Sequence, residues 1–95
     1  MKELTILITG TNPDIMKVIL RLLNSKDGWT GHTAFSVAEA IAKSRETAFD
    51  VVLIGAGIND EEALNLEKHF TVPVIRHYGG GSGLLYAEVY MALGM

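Results

Sequence analysis

The chain has 95 residues, 48% of them hydrophobic, which is enough for one compact domain spanning 1–95 and too little for two. Its 8 basic and 11 acidic residues leave a net charge of -3 with no Lys/Arg cluster able to neutralise a row of phosphates, so nucleic acid is excluded as a direct partner. With no cysteine, disulfides, thiol catalysis and cysteine-type zinc sites are all removed, and a reducing, cytoplasmic setting is expected.

The first segment, MKELTILITG, sets an acid beside its lysine, has a short apolar run and lacks a small-residue cleavage site, so it does not read as a secretion signal. Leu4 to Ile8 instead predict a β-strand ending at Thr9 and Gly10. Asn12, Pro13 and Asp14 then supply a cap, a first-turn proline and an acid at the positive end of a helix. Within that helix Ile15, Ile19, Leu22 and Leu23 recur at i, i+4, i+7 and i+8 and predict one buried stripe. Asn24 to Gly31 read as a polar connection in which Trp29 either plugs the loop against the body or serves as a binding aromatic.

Thr33 to Phe35 predict a short second strand, and Ser36 with Glu39 a capping box opening a helix to about Thr47, with Val37 and Ile41 facing in. The four apolar residues Val51 to Ile54, without polar alternation, describe a strand buried on both faces and therefore central. Asn59 and Glu62 repeat the cap-and-acid spacing for a third helix, whose Ala63, Leu66 and Phe70 face the core. Val72 to His77 read as a fourth strand, with Pro73 suiting a sheet edge or a strand start. Gly79 to Gly83 read as a turn-rich run before a last helix, Leu84 to Leu93. The apolar stretch from Leu84 to Gly94 is well short of the roughly 20 residues of a bilayer span, so no membrane partner is expected.

This β-α-β-α-β-α-β-α alternation implies an α/β three-layer sandwich with a parallel, right-handed, doubly wound sheet. In the flavodoxin-like scheme its four strands take the order 2-1-3-4, and the loops after strands one and three meet on one rim, where ligands and chemistry collect.

Three stretches, ILITGTNPDI (6–15), AFSVAEAIAKSRETAFDVVLIGAGIND (34–60) and PVIRHYG (73–79), resemble a CheY-like response-regulator receiver domain, the phosphorylatable module of two-component signalling. The resemblance implies a phosphoacceptor aspartate at the end of strand three and an acidic pair after strand one that holds Mg²⁺. Those positions fall on Gly55 and on Gly10 and Thr11, none of which can do the work. The hydroxyl position after strand four falls on Tyr78, which is too bulky, and the family's fifth strand with its lysine has no counterpart. The expectation is a degenerate, truncated pseudo-receiver without enzyme activity or cofactor. Asp14 and Asp60 suit helix first turns, and Asp50 precedes the central strand at the opposite rim.

The remaining candidates are weaker in chemistry. Gly79, Gly80, Gly81, Ser82 and Gly83 read first as a splice replacing the missing elements, and second as a nest of amides that, with Arg76 and His77, could cradle a phosphate or carboxylate. The run has neither a P-loop's Gly-Lys-Ser/Thr nor dinucleotide spacing. His32, His69 and His77 stand on three elements without metal-ligand spacing, and neither Ser44 nor Ser82 has an identifiable catalytic partner. The last helix is apolar nearly all round, with Glu88 as its only charge, although one stripe would suffice for a covering helix. Together with an uncovered fourth-strand edge, this predicts an interface at Leu85, Tyr86, Val89, Tyr90 and Met91. That interface joins a symmetric homodimer or binds another protein, unless the face folds back over its own sheet. The functional expectation is a non-catalytic interaction module in signalling or transcriptional regulation; the alternative is a small-anion binder or enzyme built on the glycine run.

Overall fold

The computed structural model describes residues 3–77 and 81–94, with backbone alone at 81 and 82. Eight elements follow in chain order: β1 (Leu4–Thr9), α1 (Pro13–Asn24), β2 (Trp29–Ala34), α2 (Val37–Ser44), β3 (Val51–Ile54), α3 (Asp60–His69), β4 (Val74–Arg76) and α4 (Gly81–Ala92). The strands form a parallel sheet in the order β2-β1-β3-β4, as expected for the doubly wound scheme. β1 and β3 lie inside, registered from Ile6 opposite Val51 to Thr9 opposite Ile54.

Because side chains alternate across a strand, these two strands feed both cores. Ile6, Ile8, Val51 and Leu53 pack with Met16, Ile19 and Leu23 of α1 and Leu85 and Val89 of α4. Leu7, Val52 and Ile54 turn to the other layer and meet Ala40 of α2 and Ala63 and Leu66 of α3. The starts of the helices follow local chemistry. Asn12 accepts from the Asp14 and Ile15 amides at 3.0 and 3.1 Å, and Asn59 and Glu62 complete a reciprocal capping box. At α2 the Ser36 hydroxyl accepts from the Glu39 amide, but the Glu39 carboxylate reaches back to Phe35 rather than to Ser36.

Several boundaries differ from the sequence pattern. β2 starts at Trp29, not Thr33, and Phe35 lies beyond it. Among the described residues the strand pairs with β1 alone and needs no continuous apolar run, so its polar residues concealed it. In α1 the buried stripe is Met16, Ile19 and Leu23, while Ile15 stays 43% exposed. α2 stops at Ser44, and β4 keeps three residues, with Pro73 just before it giving its carbonyl to the Val52 amide at 2.9 Å. Gly81 to Gly83 form the first turn of α4, which corrects their reading as a loop; Gly79, Gly80 and Tyr78 lie outside the described residues.

α4 also corrects the expected interface, because four of its five residues are engaged within the chain. Leu85 and Val89 are fully buried. The Tyr86 hydroxyl donates to the Leu22 carbonyl at 2.9 Å, and the Trp29 ring stands edge-on to Tyr86 and Tyr90 at 5.6 and 5.4 Å. Lys26 sets its ammonium over all three rings, 4.9 to 5.7 Å from their centroids. Trp29 is thus packed against the body, as the first of its two readings has it, but from the start of β2 rather than from a loop, and it seats the last helix. Met91 alone of the five stays open, at 80% exposure, with Leu84 one and a half to two turns earlier at 46%. This orientation sets a test by chemical denaturation. Leu85→Ala should cost about 2–5 kcal/mol, whereas Leu84→Ala should stay within about 0.5 kcal/mol; the reverse order would mean that α4 is turned about its axis.

Candidate functional site

The carboxyl ends of β1 and β3 meet in a rim built almost wholly of backbone. The Gly55 amide donates to the Thr9 carbonyl at 2.7 Å, Gly10 to Ala34 at 3.0 Å and Thr11 to Ala56 at 3.0 Å, so the loops after both central strands are tied together. Space is scarce there. A Cβ at Gly10 would lie 3.0 Å from the Met16 sulfur and 3.2 Å from the Ala56 carbonyl oxygen, whereas one at Gly55 would make only ordinary contacts, 3.4 Å from Ile8 and the Thr9 carbonyl oxygen. Gly57, at φ +90°, would drive a Cβ to 1.7 Å from the Thr11 hydroxyl oxygen.

Charged groups stand around this rim rather than in it. Asp14 sits in the first turn of α1, and Asp60, Glu61 and Glu62 in the first turn of α3, where carboxylates complement the helix dipole. Arg76 gives Nη1 to the Ile58 carbonyl at 3.4 Å and Nη2 to Asp60 at 3.2 Å. His77 donates its amide to Ile54 at 2.9 Å and pairs its imidazole Nδ1 with the Glu88 carboxylate, so the one charge of α4 is turned inward onto the end of β4. Among the described residues no group of three or more His, Cys, Asp or Glu side chains is placed to hold a metal ion. A cleft of about 620 Å³ opens beside the rim, between α1, the Gly55–Ile58 loop and the end of β4.

The other polar candidates are scattered. At the opposite end of the sheet the Asp50 carboxylate accepts the Thr5 amide at 2.8 Å while its own amide donates to the Thr5 carbonyl at 2.7 Å, a clamp between β1 and the start of β3. Ser44 does have a partner that its sequence position conceals: its Oγ lies 2.9 Å from Nε2 of His69. That hydroxyl also donates to the Ile41 carbonyl at 2.6 Å, so it accepts from the imidazole and is not activated by it. His32 stacks edge-on against Phe49, and the three histidines remain apart.

No protein-family model matches the sequence, and no curated protein matches it. Solved structures match over nearly the whole chain. The N-terminal domain of a response regulator/sensory box/GGDEF protein from Carboxydothermus hydrogenoformans is 20% identical, with a TM-score of 0.77 over 95% of this chain and 94% of its own. The chemotaxis protein CheY4 of Vibrio cholerae is 14% identical, with a TM-score of 0.70 over 96% and 99%. The chain has the receiver-domain fold. A fusion carrying the yeast Spc42 trimeric coiled coil reaches a TM-score of 0.79 at 22% identity, over 99% of this chain and 79% of that one.

In this receiver-like frame, Gly55 stands directly after β3 and Gly10 and Thr11 directly after β1, where the resemblance places an acceptor and a metal-holding pair. None of the three carries a carboxylate. The equivalent of the small hydroxyl, Tyr78, lies outside the described residues. Arg76 and His77 are brought to the rim, each engaged with an acid. The apolar lining of the cleft was not read as a site from sequence: Val18 and Ile58 were not singled out, and Ile15, Ile19 and Leu22 were assigned to the buried stripe of α1. Its signal was present in α1, which carries more apolar positions than one stripe requires.

The tight approach of the two loops is testable. Gly57→Ala should destabilise the fold by more than about 1 kcal/mol, since it adds left-handed strain to a steric clash. The double variant Thr11→Gly/Gly57→Ala, which removes the clash and leaves the strain, should recover part of that loss in thermal melts. No recovery would show that Thr11 and Gly57 do not press on each other.

Proposed function

We propose that this domain is a non-catalytic, phosphorylation-independent signalling module that works by docking polypeptides, a second copy of itself foremost. The observation that carries the proposal is the composition of the rim: Gly10, Thr11 and Gly55 close it with backbone hydrogen bonds and present no carboxylate to a phosphoryl group or a cation. Aspartyl transfer needs a nucleophilic oxygen and a positioned divalent ion together. A single replaced residue would weaken such a site; three replaced at once leave nothing for the reaction to start from.

Docking is favoured by what stays open. β4 pairs with β3 on one side, and among the described residues no strand pairs with its other side. An exposed strand edge is a template for another chain. In addition, Leu84 and Met91 lie one heptad apart on the outer face of α4 and keep apolar surface in water. A two-fold contact would use the same patch twice and cover both features. The interface is therefore centred on Leu84 and Met91, in place of the buried Leu85 and Val89.

Light scattering at micromolar concentration, with and without a small phosphodonor and Mg²⁺, tests both halves. The expected results are a dimer under either condition, no phosphoryl adduct in the intact mass, and a monomer for Met91→Glu. A stoichiometric, base-labile adduct would overturn the phosphorylation-independent reading. A wild-type monomer would remove the second copy as partner.

A further inference from the structure

α1 bears two apolar stripes, and the core takes only one whole. Met16, Ile19 and Leu23 enter it, whereas Ile15, Val18 and Leu22, spaced i, i+3 and i+7, lie along the flank; Ile15 and Val18 are exposed by 43% and 46%, and Leu22 is partly buried against the edge of the core. That flank walls the 620 Å³ cleft, whose floor includes the buried Ile58 and whose far side is the Gly55–Gly57 backbone. A volume of this size falls within the roughly 300–1,000 Å³ of small-molecule sites, which are mostly apolar with a few polar groups at one end. Its position, outside the carboxyl ends of β1 and β3 where the winding of the sheet reverses, is where open α/β sheets take ligands.

The polar end of the cleft is Arg76. Its guanidinium has five N–H donors, and among the described residues it makes one bond to Ile58 and one to Asp60. The Asp60 carboxylate is fully exposed, so water screens that pair and makes it weak. An anion arriving from the cleft would meet the guanidinium in a drier setting and could accept two parallel bonds. His77 adds no free charge, being paired with Glu88, and Asp14 at the α1 end of the lining repels a second negative group.

We infer that the cleft binds a small amphipathic monoanion, with its apolar body on Ile15, Val18, Leu22 and Ile58 and its single carboxylate or equivalent at Arg76. This site is separate from the docking patch on α4, so either can fail without the other. Titration of amide NMR spectra with octanoate, and in parallel with 1-octanol, tests it. Octanoate should shift the amides of Ile15–Leu22 and Gly55–Ile58 saturably and more tightly than the alcohol. Arg76→Gln should weaken octanoate by about tenfold, the effect of losing a charged hydrogen bond, and leave octanol unchanged. Val18→Asp, on an exposed helix face, should abolish both while the amide shifts of β1 and β3 stay in place. Equal affinity for acid and alcohol would overturn the anionic class. Shifts that are scattered, unsaturable or indifferent to Val18→Asp would overturn the site.

Discussion

β1 and β3 run side by side at the centre of the sheet, buried on both faces, and their following loops are laced together by the Gly55-to-Thr9 and Thr11-to-Ala56 hydrogen bonds. Gly10 leaves little room, since a Cβ there would lie 3.0 Å from the Met16 sulfur, and Gly57 takes a backbone conformation that places it against Thr11. Gly10, Thr11 and Gly55 bring no carboxylate to this rim, whose loops are joined by backbone hydrogen bonds.

The consequences run outward through the two cores. α4 follows β4 across 77–81 and lies with α1 on one face, held by Leu85 and Val89 in the core, by Tyr86 on the end of α1, and by Trp29 at the start of β2. Those contacts use its inner face and leave Leu84 and Met91 outside. Among the described residues the sheet ends at β4, a three-residue strand. The domain thus keeps an open edge and an outward apolar stripe, whereas the loops at the ends of β1 and β3 are tied to each other.

The architecture was legible in the sequence wherever burial was complete. Val51 to Ile54 read as a central strand because both faces are apolar, and Asn12-Pro13-Asp14 and Asn59 with Glu62 marked helix starts by hydrogen-bond chemistry that is purely local. Residues buried on one side only were harder to read. β2 was shortened because WTGHTA has little apolar alternation, although Gly31 hinted at its true setting: a Cβ there would lie 3.0 Å from Leu23 of α1. In α1, Ile15 and Met16 offered competing stripes, and only the tertiary contacts choose between them. The glycines at 81 and 83 suggested a loop by their intrinsic preference, yet the backbone continues as helix. That Gly10, Thr11 and Gly55 carry no carboxylate could be read directly from the letters. The cleft could not, because it depends on how far α1, β4 and the 55–58 loop stand apart.

The central proposal is that the rim between β1 and β3, closed by backbone, takes no divalent ion, and that the domain acts through its surfaces. Paramagnetic Mn²⁺ titrated against the ¹⁵N-labelled protein measures this most directly, since a bound ion selectively broadens the amides nearest to it. The account predicts that Gly10, Thr11, Gly55 and Ala56 broaden no more than exposed residues elsewhere. Saturable loss of those four signals at low Mn²⁺, reversed by excess Mg²⁺, would contradict it.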